Sequence, residues 1–74
     1  MNQKEIWELT AAKAEMMKGK KFFILFQQKG KIYNCIAVFE SFKNFEYKVD
    51  HFIFRVKNRL IKIPYVFLLK MVVV

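Results

Sequence analysis

Only one cysteine, Cys35, and one histidine, His51, occur among the 74 residues, so neither an intrachain disulfide nor a Cys/His zinc framework can be assembled. A chain of this length buries only about 60% of the surface that its unfolded form exposes, and such small domains draw on disulfides, metals or partner subunits. With the first two excluded, self-association is the remaining source of stability. Glycine (two residues) and proline (Pro64 alone) are scarce too, and with 55% hydrophobic and 18% aromatic residues the composition is the reverse of a disordered tail. Acidic residues are outnumbered: 6 against 14 Lys and Arg leave a net charge of +8, whose potential favours polyanions, nucleic acid first and anionic membrane second. Packing several such subunits together is repulsive unless a bound polyanion or salt screens them.

The start, MNQKEIWEL, lacks a basic region ahead of an apolar run, so no signal peptide is expected. With the free cysteine, which suits a reducing compartment, this gives a cytoplasmic expectation. No apolar run approaches the roughly 20 residues that span a bilayer, because Pro64 and Lys70 interrupt the closing LIKIPYVFLLKMVVV, residues 60–74; integral membrane insertion is not expected.

One domain, residues 1–74, is expected, with a helix over 2–18 and five strands over 20–74. Asn2 suits an N-cap and Glu5 completes a capping box. Ile6, Leu9, Met16 and Met17 fall on one helical face, widened by Trp7, Ala11 and Ala14, and Gly19 supplies the stop. From Lys20 onward aromatic and β-branched residues dominate and the helical period is lost. KKFFILFQQ reads as a strand, Lys29-Gly30 as a turn, KIYNCIAVFESF as a second strand, and Lys43-Asn44 as a second turn. In FEYKVDHFIFRV, Phe45, Tyr47 and Val49 share one parity whereas Phe52, Phe54 and Val56 share the other. A bulge or bend near Asp50-His51 is therefore predicted, the device by which small barrels turn corners. After Lys57-Asn58-Arg59, LIKI is a fourth strand; Pro64 interrupts its ladder, Tyr65-Val66-Phe67 makes a short turn, and Leu68 to Val73 forms the fifth. Both parities of that last strand are apolar, so it is an edge that invites pairing with another chain.

A helix followed by five bent antiparallel strands resembles the architecture of the Sm and Lsm proteins. FESFKNF at 39–45 is similar to the strand-turn-strand segment of the Hfq-like branch, and IPYVFLLKMVV at 63–73 to the family's final strand, turn and strand. The resemblance implies a mostly β (α+β) fold, a strongly bent Sm-like or SH3-like barrel. It implies an aromatic at Phe45 that stacks on a base, Asn44 bonding a base edge with Lys43 beside it, and Tyr65, at the family's basic position, available for stacking. It also implies a homo-oligomeric ring closed by the last strand of one subunit on the preceding strand of the next. Ile61, Ile63, Leu68, Leu69, Met71, Val72 and Val73 would then lie at that interface. The implied ligand is single-stranded RNA, with DNA open to the same contacts, and the implied role is that of an RNA chaperone or regulator.

Two basic groups add to this reading from the residues alone. Lys13, Lys18, Lys20 and Lys21 cluster at the end of the helix and the start of the first strand, and Arg55, Lys57 and Arg59 around the last hairpin. Such groups neutralise phosphates without reading sequence, or simply keep a sticky small protein soluble. Aromatics interleaved with lysines are the combination that holds single strands by stacking. Asp50 and His51, adjacent in a strand, are expected on opposite faces and so unable to pair. Cys35 reads as a small buried hydrophobe. No Gly-rich phosphate loop, paired-carboxylate pattern or metal spacing occurs, so no catalytic residue, metal or cofactor is assigned and no enzyme is expected. The rival expectation is a small phage- or plasmid-encoded inhibitor, a protein-binding module that docks its basic aromatic face on an acidic partner.

Overall fold

The structure, a computed structural model, describes residues 1–74. The elements run α1 (Gln3–Trp7), α2 (Ala11–Glu15), β1 (Lys21–Gln28), β2 (Lys31–Phe45), β3 (Lys48–Val56), β4 (Arg59–Pro64), a 3-10 turn (Tyr65–Phe67) and β5 (Leu68–Val73). All strand pairings are antiparallel, in one sheet of order β4-β3-β2-β1-β5. β4 and β5 are its two edges, so the chain by itself does not close the sheet into the expected barrel. No helix is long and apolar enough to cross a membrane.

The single helix expected over 2–18 is instead two. The capping box forms as read, with Asn2 and Glu5 exchanging backbone-to-side-chain bonds of 2.9 Å. α1 then stops, because Thr10 is extended and its hydroxyl accepts from the Lys13 N–H at 3.3 Å, capping a new helix. The freed backbone goes to the sheet: Val49 N–H donates to Leu9 C=O at 3.1 Å and Ala11 N–H to Tyr47 C=O at 2.8 Å. These bonds hold the helical segment onto the start of β3. Ile6, Leu9 and Ala14 are buried, whereas Met16, expected on the same face, is 77% exposed because the break changes the phase of the second helix.

The Lys29-Gly30 turn is where it was read, with φ of 51° and 77°; a two-residue hairpin of this kind needs positive φ at both positions. The second turn is displaced. β2 continues through Lys43 and Asn44 to Phe45, and the chain reverses at Glu46-Tyr47, where Glu46 takes φ 55°. Phe45 and Tyr47 are therefore at a turn and point outward instead of sharing the buried face with Val49.

Three irregularities bend the sheet. On β2, Glu40 is skipped between the pairs Phe39↔Phe54 and Ser41↔Ile53. On β3, Asp50 is skipped between Lys43↔His51 and Asn44↔Val49. This second bulge is the predicted parity switch, and it lets Val49 and Phe52, three apart, both face inward. On β5, Leu69 is skipped between Leu25↔Lys70 and Phe26↔Leu68, so that Leu68 and Met71 are both fully buried. At the outer edge of β5, Met1 pairs with Met71, its amino group donating to the Met71 carbonyl and its carbonyl accepting from the Met71 N–H.

The concave side of the bent sheet and the two helices enclose the core. Phe39 is at its centre, with no exposed surface and ring centroids of Phe22, Phe42, Phe52 and Phe54 between 5.6 and 6.4 Å away. Replacing such a ring by Ala removes about 3–5 kcal/mol, a large share of the roughly 5–15 kcal/mol that a domain possesses. Phe39→Ala is therefore expected to lose the cooperative thermal transition that wild type shows by circular dichroism.

The bulged Glu40 accepts a 2.8 Å hydrogen bond from Arg55 Nε. That bond holds the Glu40 carboxyl below the ordinary glutamate range and raises Arg55 in turn. A carboxyl depressed in the folded state stabilises above its unfolded pKa, and the stabilisation is lost as pH falls through the folded value. Both groups are at the surface, so the effect is small. Melting of wild type and Glu40→Gln should differ at pH 7, with wild type higher, and converge by about pH 3.

A candidate nucleic-acid interface

α1, the β2–β3 turn and the turn before β5 meet around a cleft of about 740 Å³. Each is fixed there by a local cause. The capping box starts α1 so that Ile6 is buried and the next residue, Trp7, stands at the surface, 46% exposed. The Leu9 and Ala11 backbone bonds hold the β2–β3 turn beneath that helix, which presents Phe45 and Tyr47 at 70% and 64% exposure. Pro64 ends the β4 ladder and the following 3-10 turn sets Tyr65 edge-on to Trp7, with ring centroids 6.0 Å apart at 78°. Four aromatic side chains thus line one open cleft, with Lys4 and Lys48 and the carboxylates Glu8, Glu46 and Asp50 around them.

Of the residues expected to hold RNA, the structure brings Phe45 and Tyr65 together here. Asn44 is not free to read a base with its amide, because Nδ2 donates to Glu46 C=O at 2.6 Å and so ties the turn. Lys43 lies on the convex face beside Lys62, and hydrogen bonding between the two amines, followed by their like charge, lowers the Lys62 pKa. Lys13 and Lys20 border a separate depression with Met1, Met16 and Met17. Lys18 is paired with Glu15 at 2.8 Å and sits 5.3 Å over the Phe42 ring. Lys21 opens β1, in the cross-strand row of Val38 and Arg55. Arg55 is held by Glu40, so its charge is already met, and Lys57 and Arg59 lie at the β3–β4 hairpin, the opposite end of β3 from the cleft. The basic residues are spread over the surface and do not converge on one patch.

Trp7 and Tyr47 are the members that sequence reasoning missed. The helical period assigned Trp7 to the buried face, and strand alternation assigned Tyr47 inward. The available signal was local: Trp7 adjoins the deeply buried Ile6, and Tyr47 follows Asn44, whose side chain commonly closes turns on a neighbouring backbone group.

The expectation that Asp50 and His51 cannot pair is overturned. His51 Nδ1 lies 2.7 Å from Asp50 Oδ2. Opposite-facing neighbours require regular pleating, and the bulge at Asp50 removes it. No third His, Cys, Asp or Glu gathers with them as a metal-binding group would need. Cys35, half-buried opposite Ile24, has its thiol pKa pushed up by burial, which keeps it protonated and poorly nucleophilic.

Among the residues named for an oligomer interface, Ile63, Leu68 and Met71 are spent on the chain's own core, Ile61 and Leu69 are half-buried, and Val72 and Val73 are exposed at 42% and 65%. Comparison with protein-family models, with curated proteins and with solved structures gives no match.

Tyr65 covers one edge of the only tryptophan. Tyr65→Ala is expected to shift Trp7 emission to longer wavelength and to cost about 0.5–1.5 kcal/mol beyond the lost area, read by fluorescence and by urea unfolding.

Proposed function

We propose that this chain is a single-stranded RNA-binding protein of the Sm-like, small-barrel kind, acting as an RNA chaperone or regulator by holding strands without making or breaking bonds. The observation that carries the reading is the cleft: Trp7, Phe45, Tyr47 and Tyr65 line one open site in a chain of net charge +8. Stacking on such rings contributes about 1–3 kcal/mol per base, and every base has a face to offer. Dispersed lysines suit a flexible polyanion that follows the surface, and DNA single strands would use the same contacts.

The two edges of the sheet, β4 and a β5 that is covered only where Met1 bonds Met71, support assembly into a ring. β4 of one copy and β5 of the next are antiparallel-competent edges, and pairing them removes both from solvent and completes a barrel-like wall. Ile61, Leu69, Val72 and Val73 retain side-chain surface for that contact. Met1 must then give up its bonds to Met71, so the new ladder has to outweigh that pair.

A second reading, a module that docks on an acidic partner protein, is favoured by one different observation. The convex face carries a cross-strand row of Val72, Phe23 and Ile36, with Ile32 and Leu60 also exposed and Lys21 and Lys70 beside them. Apolar surface rimmed by one sign of charge suits a protein of opposite charge.

Native mass spectrometry of protein purified without nuclease tests both. A ring-sized multiple of the 9.0 kDa chain carrying nucleic acid is expected, with RNA affinity falling linearly in log–log against salt. A monomer without salt-dependent RNA binding overturns the proposal. One stoichiometric protein retained after nuclease treatment moves the assignment to the second reading.

A further inference from the structure

The charge around the cleft runs against that of the chain. Two lysines, Lys4 and Lys48, line it together with three acidic residues, Glu8, Glu46 and Asp50, which are half of the six acidic residues in a protein of net +8. A phosphate is repelled by that net negative set, so a bound strand would keep its backbone outside the cleft, toward the lysines scattered over the rest of the surface, and turn its bases inward onto the rings. The base edge then meets carboxylate oxygens, which only accept hydrogen bonds.

Nucleobases differ sharply in what they offer to such an acceptor. Guanine presents N1–H and the exocyclic N2 amine side by side, two donors that one carboxylate takes together. Adenine and cytosine each present one exocyclic amine. Uracil presents N3–H between two carbonyl oxygens, and a carboxylate brought to that edge meets both of them. Of the three carboxylates, Asp50 already has an oxygen engaged by His51 at 2.7 Å. Glu46 stands between the exposed Phe45 and Tyr47 at the turn, and Glu8 adjoins Trp7 at the end of α1; neither side chain makes a hydrogen bond or ion pair in the structure.

We infer that the cleft is a guanine-selective base site, in which the purine stacks on the exposed aromatic rings and its Watson–Crick edge donates to the carboxylate of Glu46 or Glu8. This rests on the cleft being the base-binding site proposed above, and it adds which base that site selects. A charged acceptor with two donors in register discriminates by about tenfold or more against a base lacking them.

Trp7, the only tryptophan, reports the test directly. Quenching of its emission is titrated with guanosine, adenosine, cytidine and uridine, and in parallel with guanine-rich and uracil-rich oligonucleotides at fixed salt. Guanosine is expected to bind at least about tenfold tighter than uridine. In Glu8→Gln/Glu46→Gln the ratio should fall to about threefold or less, since a neutral amide offers a single acceptor atom, with the melting temperature held because both positions are exposed. The inference is overturned if uridine binds wild type as tightly as guanosine, if the ratio survives in the double variant, or if no nucleoside changes Trp7 emission. Oligonucleotides that bind without base preference overturn it while leaving the RNA-binding reading standing. Guanosine binding with no oligonucleotide binding does the converse.

Discussion

Everything else in this fold is arranged around the contact of Phe39 with four other phenylalanine rings and the bulge that follows it. A sheet of five strands covering so small a core must curve, and curvature needs a place where one strand gains a residue on its neighbour. Glu40 is that residue on β2. Because it is skipped, Phe39 and Phe42 both turn toward the core, where a regular strand would send them to opposite faces. The stacked and tilted rings then fill the concavity that the bend creates. The Arg55 guanidinium, held by the Glu40 carboxylate, satisfies the polar side chain that the bulge leaves on the surface.

The cleft is a consequence of the same geometry. The second bulge, at Asp50, bends β3 near its start and turns the β2–β3 reversal toward the helices. The break between the helices leaves Leu9 and Ala11 with backbone groups that α-helical bonding would otherwise have used, and these tie the reversal in place. Two departures from regular structure, one in the helix and one in the sheet, thus meet, and aromatic residues that regular periodicity would have buried stand exposed around the gap. Exposed aromatics cost a small protein solubility. Here they lie among charged side chains, which offsets that cost.

Electrostatically the molecule has two characters. The chain as a whole is strongly basic, with a net charge of +8, and its lysines are scattered over the hairpins, the helix end and the convex face. Around the cleft acidic residues outnumber lysines, so the local charge there is opposite in sign to that of the chain as a whole. The sheet ends at β4 on one side and at β5 on the other, and Met1 occupies part of the β5 edge through its bonds to Met71.

Much of this was legible in the residues. The capping box at Asn2 and Glu5, the Lys29-Gly30 turn, five antiparallel strands and the parity switch at Asp50 follow from local rules, because a cap, a positive φ and a two-residue period each depend on a few neighbouring side chains. Phe45 and Tyr65 could be singled out for the same reason, as rings beside expected turns. What the residues alone could not decide was the helix break at Thr10, the shift of the second turn to Glu46-Tyr47, and the pairing of Asp50 with His51. Each depends on a contact between segments distant in sequence, or on where a skipped residue falls in the ladder. Helix, turn and strand propensities at those positions differ by a few tenths of a kcal/mol to about 1 kcal/mol, and two backbone hydrogen bonds to a neighbouring strand are enough to reverse them. Tertiary structure alone therefore determined that Trp7 and Tyr47 join Phe45 and Tyr65, and that half of the chain's few acids gather beside them.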